Sequence, residues 1–471
     1  METQHTPGVF ERFNQWITES IMVKLFSIGF LILILLIPTS WIEDLIRERQ
    51  SRSDEVIREV SDKWSGRQML SGPVLRIPFT KMEKTKTWYE GKQVEEIIET
   101  NHYAYFLPEE YRVKNDITTE VRKRGIFEVV VYKSGITMNA QFSVPDFSGW
   151  NIPDQHVHWK EAVLLNGISD LRGIGENPLV KAGEQTLRSE PLSDIGITVN
   201  QYPQANTTQA TDASVNLNTT SGIITALGWL AQPETIMNVN LQLSLKGSES
   251  LYFVPTGKST EVSTTSAWPA PSFEGKLLPE YTISDSGFTA VWKVLSFNRP
   301  FSQKWIDRDQ SLAGSEFGVR LLIPADQYQK STRTAKYGQL IILLAFTALF
   351  LVEITTKTRI HPFQYILIGA ALIIYYTLLL SFSEQVGYNA AYAIASISTI
   401  LLVTLYSTSF LKSKPVILLF SLLMASFYTF IFIIIQAQDF SLLIGSIGLF
   451  LIIGLLMYFS RNINWYGARK E

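Results

Sequence analysis

Cysteine is absent from all 471 residues, which removes disulfides, thiolate nucleophiles, Cys-ligated zinc and iron–sulfur clusters. The absence says little about redox compartment, because a chain of this size can bury an adequate core without disulfides. Histidine is nearly as scarce, with five in all, and no HExxH motif occurs. His156-Val-His158 has chelating spacing, since on a strand both rings would share one face. Nothing marks nearby Asp154 or Glu161 as a third ligand, so the pair reads as surface histidines. Phosphate-binding glycine patterns fail as well. Gly257-Lys258-Ser259 ends like a Walker A loop, but Tyr252 stands where its first glycine belongs. Gly173-Ile-Gly175 runs on into Glu-Asn-Pro without a third glycine, and no G-x-S-x-G elbow exists. A net charge of −2 and the lack of a basic stripe argue against nucleic acid as a partner. No metal ligand, cofactor site or catalytic residue can be named from motifs.

Charge is scarce too, but only locally. Gly338–Glu471 holds 11 charged residues in 134, about 8%, whereas Glu43–Tyr337 holds 68 in 295. Such segregation fits a water-soluble domain joined to a membrane block. A membrane-spanning helix needs about 20 mostly apolar residues. Leu25–Ile42 is the first candidate, uncharged throughout and closing with Trp41 near its end. A cleaved signal peptide would need a small-residue cleavage pattern, which the PTSW stretch does not offer. Five further strips are apolar on every face: Gly338–Thr356, Pro362–Ser383, Tyr388–Leu411, Pro415–Gln436 and Phe440–Ser460. Their links are short, so successive helices should be neighbours.

Orientation follows from Lys and Arg in the short loops. With a cytoplasmic N-terminus, the inner pieces hold Arg12, Lys24, Lys357, Arg359, Lys412, Lys414, Arg461, Arg469 and Lys470. The short outer links hold only Glu384 and Asp439. Arg47, Arg49, Arg52 and Arg58 lie on the outer side against this trend, but acids interleave with them and long translocated domains partly escape the rule. The expected division is a cytoplasmic segment 1–24, a span 25–42, an outer domain 43–337, a five-helix block 338–460 and a cytoplasmic tail 461–471. Both termini would be inside.

The outer domain opens with EDLIRERQSRSDEVIREVSDKW, whose apolar residues recur at helical spacing. It predicts a helical stalk, 43–66, continuing the first span and stopped by Gly66. From 67 to 337 the period becomes two. Strands are expected at Val74–Thr80, His102–Leu107, Ile126–Tyr132, Ile136–Val144, Met237–Lys246, Ser250–Val254, Phe288–Leu295 and Phe317–Ile323. Lys133-Ser134-Gly135, Gly247-Ser248 and Asp285-Ser286-Gly287 look like turns between them. An antiparallel, sandwich-like β domain is expected. Gln201–Ser221 is polar and reads as a loop, its two N-x-T sequons being ordinary in so Thr-rich a stretch.

Ionisable residues in membrane strips are costly and therefore informative. Glu353 lies near the inner end of the second span and Glu384 at the outer end of the third; both are expected to reach water by snorkelling. Tyr375, Tyr376 and the Ser/Thr string of the fourth span (Ser396, Ser398, Thr399, Thr404, Ser407, Thr408) should hydrogen-bond to backbone or neighbouring helices. In the outer domain Asp170 and Arg172 should pair with each other.

Several motifs stand in a distinctive order. They are Asp170-Leu-Arg-Gly-Ile-Gly175, Trp268-Pro-Ala-Pro-Ser-Phe-Glu-Gly275, Ser284-Asp-Ser-Gly-Phe288, Pro324-Ala-Asp-Gln-Tyr328, His361-Pro-Phe-Gln-Tyr365 and Arg461-Asn-Ile-Asn-Trp-Tyr466. With one early span, a large insert and a C-terminal helix block, the chain resembles the CreD family of inner-membrane proteins over nearly its whole length. That resemblance implies a Gram-negative inner-membrane location and a periplasmic insert. It also implies a role in cell-envelope integrity or stress response, tolerance to a colicin, and control by a two-component pair. It brings no catalytic residue. The leading expectation is a non-enzymatic, six-span protein whose β-rich periplasmic domain is tethered at both ends, where it meets inner-membrane lipids or envelope proteins. A transporter or lipid-handling protein using the helix block is the alternative, and an envelope hydrolase or transferase is the third.

Overall fold

The computed structural model describes residues 21–89, 92–197, 221–307, 310–321, 327–356, 358, 360–437 and 440–461. The loop expected at Gln201–Ser221 therefore lies outside the described residues apart from Ser221. So do most of the segment 1–24, Lys357 and Arg359, residues 324–326 of the Pro324–Tyr328 motif, and the tail beyond Arg461. The chain divides into two compact units, Glu55–Pro324 on one side and Met1–Asp54 with Ala325–Glu471 on the other. One helix, α1 (Ile21–Trp64), begins in the second of these and ends in the first.

The unit Glu55–Pro324 is β-rich. Its strands are β1 (Gln68–Tyr89), β2 (Lys92–Phe106), β3 (Glu110–Arg124), β4 (Phe127–Phe142), β5 (Val163–Ile168), β6 (Leu179–Ala182), β7 (Gln185–Leu187), β8 (Ser189–Leu192) and β9 (Gly222–Ala226). They continue with β10 (Met237–Ser248), β11 (Ser250–Phe253), β12 (Ser259–Ser266), β13 (Pro271–Gly275), β14 (Glu280–Ser284), β15 (Gly287–Leu295), β16 (Lys304–Ile306) and β17 (Phe317–Leu321). One sheet runs β13-β17-β11-β1-β5-β9-β8, with β2 on β1 and β16 on β2; the other runs β14-β15-β12-β3-β4-β10-β6-β7. Most neighbours are antiparallel, but β1 pairs with β11, and β12 with β3, in parallel. The wholly antiparallel arrangement expected from the turns is thus corrected at two places.

Alternation explains the second sheet. Tyr111, Val113, Asn115 and Ile117 point inward from β3 while Arg112, Lys114 and Asp116 face out. From the first sheet, Leu75, Ile77, Leu251 and Val319 join Val113, Met138, Leu241 and Trp292 of the second in one hydrophobic core. The first sheet also carries a smaller core on its other face, built from Met69, Leu165, Tyr252, Ile195, Phe301 and Trp305. Burial on both faces is why β5 reads as an unbroken buried run, Val-Leu-Leu-Asn-Gly-Ile.

Three turn expectations meet different outcomes. Asp285-Ser286 does link β14 to β15 as a hairpin, with Ser284 opposite Gly287. Lys133-Ser134-Gly135 is not a turn: β4 runs straight through it, paired with β3 on one side and β10 on the other. Ser134 is buried there and its hydroxyl donates to Asn115 Oδ1, whose Nδ2 in turn donates to Thr264 Oγ1 at 3.4 Å. A polar rung crossing three strands inside the core imitates loop composition. The actual hairpin falls at Gly125-Ile126, where Arg124 faces Phe127 and Gly125 has φ +63°. Gly247-Ser248 likewise ends β10, and the chain changes sheets at Glu249, φ +60°. The long charged hairpin of β1 and β2, paired out to Tyr89 and Lys92, extends well past the short strands expected there.

The other unit is helical. After α1 come α2 (Gln327–Lys336), α3 (Gly338–Thr356), α4 (Pro362–Val386), α5 (Tyr388–Ser407), α6 (Lys414–Gln436) and α7 (Ser441–Ser460). Among the described residues, five helices are long and apolar enough to cross a membrane; Ser441–Leu455 of α7 forms a shorter apolar run. Large apolar side chains stand exposed on their outer faces, including Phe26, Leu33, Leu418, Leu442 and Phe450, as lipid contact would require. Inside, Ile342, Phe346, Leu372, Leu379, Ala395, Met424 and Ile431 form one core. Glycines allow close approach at two crossings: a Cβ on Gly369 would meet Leu35 at 2.3 Å, and one on Gly338 would meet the Tyr376 ring at 2.8 Å.

Candidate functional site

Four polar groupings stand out, three in the helical unit. The first surrounds Glu353 in the last turn of α3. Its Oε1 accepts from Lys24 Nζ at 2.7 Å and from the Ile360 backbone N–H at 3.1 Å. Its Oε2 accepts from the Tyr365 hydroxyl at 3.1 Å, and the side chain is 5% exposed. This corrects the expectation that Glu353 reaches water. Ile360 meets the carboxylate just before α4, which starts on a capped turn. His361 Nδ1 accepts the Phe363 N–H, Gln364 Oε1 accepts the His361 N–H, and Pro362 occupies the first turn. The His361–Tyr365 motif is therefore a helix-start signal that also delivers Tyr365 to Glu353.

The second grouping is at the other end of the helices. Glu384, in the last turn of α4, accepts from the Tyr328 hydroxyl at 3.1 Å, and Arg49 Nε lies 3.9 Å away. Glu384 is 10% exposed. Lys24 and Arg49 both belong to α1, and at about 1.5 Å per residue they stand roughly 37 Å apart along it. The hydrocarbon core of a bilayer is about 30 Å thick. One helix is thus clasped by an acid at each end of its apolar run, with no charge between Lys24 and Glu43.

Between these ends lies a cluster of tyrosines. Tyr375 contacts Tyr376, Tyr392 and Tyr428 with ring centroids 4.7–5.9 Å apart, and all four are buried. Tyr392 Oη donates to the Tyr428 backbone carbonyl at 2.7 Å, while the hydroxyls of Tyr376 and Tyr428 have no partner among the described residues. In the neighbouring Ser/Thr string, Thr404 bonds to Ser421 of α6, and Ser407 and Thr408 bond back to their own helix. Ser398 is exposed, and Ser396 and Thr399 are buried.

The fourth grouping belongs to the β-rich unit. Arg172 forks onto Asp170, with Nε to Oδ1 at 2.9 Å and Nη2 to Oδ2 at 2.8 Å. Its Nη1 donates to the Asp62 carbonyl at 2.7 Å, one of the last carbonyls of α1. Asp170 Oδ2 also accepts from the Gly66 N–H and Ser65 hydroxyl just past the helix. The pair is a clamp on a helix C-terminus, where orphan carbonyls need a donor and favour a cation. Burial pushes the Asp170 carboxyl up, but hydrogen bonds from Arg172 and Gly66 outweigh it and hold the group down at about 2. Space demands the glycine at 173. A Cβ there would lie 2.4 Å from both Gln68 Nε2 and the Lys246 carbonyl. Sequence spacing could not have shown that Asp170 and Arg172 hold a helix more than a hundred residues earlier.

The histidine pair does not share a strand face. His156 ends a short 3-10 turn, Asp154–His156, and His158 Nε2 bonds Thr80 Oγ1 at 2.6 Å. Asp154 is occupied by the Trp159 indole N–H at 2.8 Å. No group of three or more potential metal ligands occurs among the described residues.

Apolar helices clasped to one another and a β-rich unit inserted after the first of them define a multi-pass membrane protein. The family model "Inner membrane protein CreD" matches residues 20–466, and the chain belongs to that family. It is 32% identical over 448 residues to the inner membrane protein CreD of Escherichia coli (strain K12), covering 94% of this chain and 93% of that one. Among solved structures, a two-domain M1 zinc metallopeptidase mutant bound to L-tryptophan aligns with 40% of this chain and 39% of its own at 10% identity and a TM-score of 0.17. The M1 zinc metallopeptidase of Deinococcus radiodurans aligns with 50% of this chain and 52% of its own at 9% identity and a TM-score of 0.19. The chain thus spans about half or less of those proteins, and such slight likeness carries no argument about fold or activity.

Proposed function

We propose that this protein supports cell-envelope integrity or stress response without catalysing a reaction. In this reading six helices span the inner membrane, both termini are cytoplasmic, and the β-rich unit works in the periplasm. The observation that carries it is the pair of ionic clasps on α1, Lys24–Glu353 and Arg49–Glu384, spaced to bracket a bilayer. A chain clasped in this way leaves and re-enters the membrane beside the inserted unit. Double tethering keeps that unit at a high local concentration near lipids and envelope proteins of the same leaflet. The test is a reporter inserted near residue 200, joined to complementation of an envelope-stress phenotype. Periplasmic reporter behaviour and loss of complementation on deleting the β-rich unit support the reading. Cytosolic behaviour, or full rescue by the helices alone, overturns it.

A transporter or lipid-handling role is the second reading, favoured by the unpartnered hydroxyls of Tyr376 and Tyr428 amid buried tyrosines. It requires Glu353 or Glu384 for activity, so full complementation by the Glu353→Ala and Glu384→Ala variants would set it aside.

A further inference from the structure

Helix α2 was not foreseen from the sequence, and it carries a surface that the clasps do not use. Its ten residues, Gln-Tyr-Gln-Lys-Ser-Thr-Arg-Thr-Ala-Lys, include three cations and no acid. Ser331, Thr334 and Ala335 are its buried side. At about 3.6 residues per turn, Arg333 and Lys336 fall on the opposite side and Lys330 on the flank. Two contacts hold the helix in that rotation. Thr334 Oγ1 shares a hydrogen bond with the Tyr388 hydroxyl at 2.6 Å, and Lys330 Nζ lies 5.7 Å from the Tyr388 ring centre. Tyr328 adds the bond to Glu384. Glu384, the acid that Tyr328 bonds, also lies 3.9 Å from Arg49. Lys336 is exposed, and Lys330 and Arg333 are half-buried.

The height of this face matters. The apolar helix α3 starts at Gly338 and ends beside Glu353, a run of about 28 Å at 1.5 Å per residue. That matches the hydrocarbon thickness of a bilayer, so α2 sits where hydrocarbon gives way to headgroups. A short amphipathic helix whose only charges are cations, two of them on its outer face, suits phosphate-bearing lipids at that level. We infer that Lys330, Arg333 and Lys336 form a binding surface for anionic phospholipid headgroups of the leaflet at the Glu384 end. The inference rests on the spanning arrangement of the helices and holds for either orientation of the chain.

The test uses the full-length protein purified in detergent and titrated with phosphatidylglycerol or phosphatidylcholine, bound lipid being counted by native mass spectrometry. Each cation near an anionic surface contributes about fivefold, so Lys330→Gln, Arg333→Gln and Lys336→Gln together should weaken phosphatidylglycerol binding about a hundredfold. Phosphatidylcholine binding should not change. The charge-conserving set Lys330→Arg, Arg333→Lys and Lys336→Arg should keep the preference. A wild-type protein with no preference for phosphatidylglycerol, or a folded triple-Gln variant that retains it, overturns the inference. Should the triple-Gln variant not fold, salt titration of the wild type decides. Affinity falling with salt supports the headgroup surface, and salt-independent affinity overturns it.

Discussion

Replacing Lys24 by Met removes the one cation bonded to Glu353 among the described residues and leaves a carboxylate that is 5% exposed. Two neutral donors remain, the Ile360 N–H and the Tyr365 hydroxyl. Breaking a buried ion pair from one side typically costs 3–5 kcal/mol, and the surviving donors place this case near the bottom, at about 3 kcal/mol. The reverse change is milder. Glu353→Gln keeps an acceptor for the Ile360 N–H, and Lys24, whose side chain is 33% exposed, can turn its ammonium toward water. That substitution should cost about 1 kcal/mol. The double variant has no stranded charge and should fall near the Glu353→Gln value, giving a coupling of about 3 kcal/mol in the double-mutant cycle. Steric-trap unfolding of the full chain in bilayer discs measures all four corners. Equal costs for the two single variants, with the double at their sum, would show that the two side chains do not interact. The enclosed clasp would then be wrong.

Three further outcomes follow from the same geometry. Asp170→Asn should cost about 1.5–3 kcal/mol by weakening the charge-assisted bonds to Arg172 and Gly66. Because folding holds the Asp170 carboxyl at about 2, below its ordinary range near 4, its contribution is present above about pH 4 and lost as pH falls toward 2. Acid titration followed by circular dichroism should therefore show the wild type losing more stability than the Asn variant over that window. Gly173→Ala should cost about 1–3 kcal/mol, since the added carbon meets the Lys246 backbone carbonyl as well as the Gln68 side chain, and the backbone cannot simply turn aside; an unchanged melting temperature would argue against that packing. Among the tyrosines, Tyr392→Phe loses its bond to the Tyr428 carbonyl and should cost about 0.6–1.7 kcal/mol, whereas Tyr376→Phe removes a hydroxyl with no partner and should be neutral. A clear loss at Tyr376 in thermal inactivation would reveal a buried guest bonded to that hydroxyl.

Some of this protein was written in local pattern. Apolar runs such as Gly338–Thr356 announce helices with no polar face, because a backbone in hydrocarbon must satisfy its own hydrogen bonds. The alternation Tyr111-Arg112-Val113-Lys114 announces a strand with one wet side. The motif Asp170–Gly175 and its companions, in their order along a chain with one early span and a late helix block, pointed to the CreD family, to which the chain belongs. Tertiary structure decided which polar residues turn inward. Ser134 and Gly135 have the composition of a turn, yet they lie in mid-strand because β3 and β10 pair with them on either side and Asn115 of β3, itself bonded to Thr264, accepts the Ser134 hydroxyl. Glu353 stands at a helix end from which it could reach water, yet it is enclosed because Lys24, hundreds of residues earlier, and the Ile360 backbone meet it there. Spacing along a chain determines which face a residue occupies; the partner that makes its burial affordable comes from a distant segment, and only packing brings that segment near.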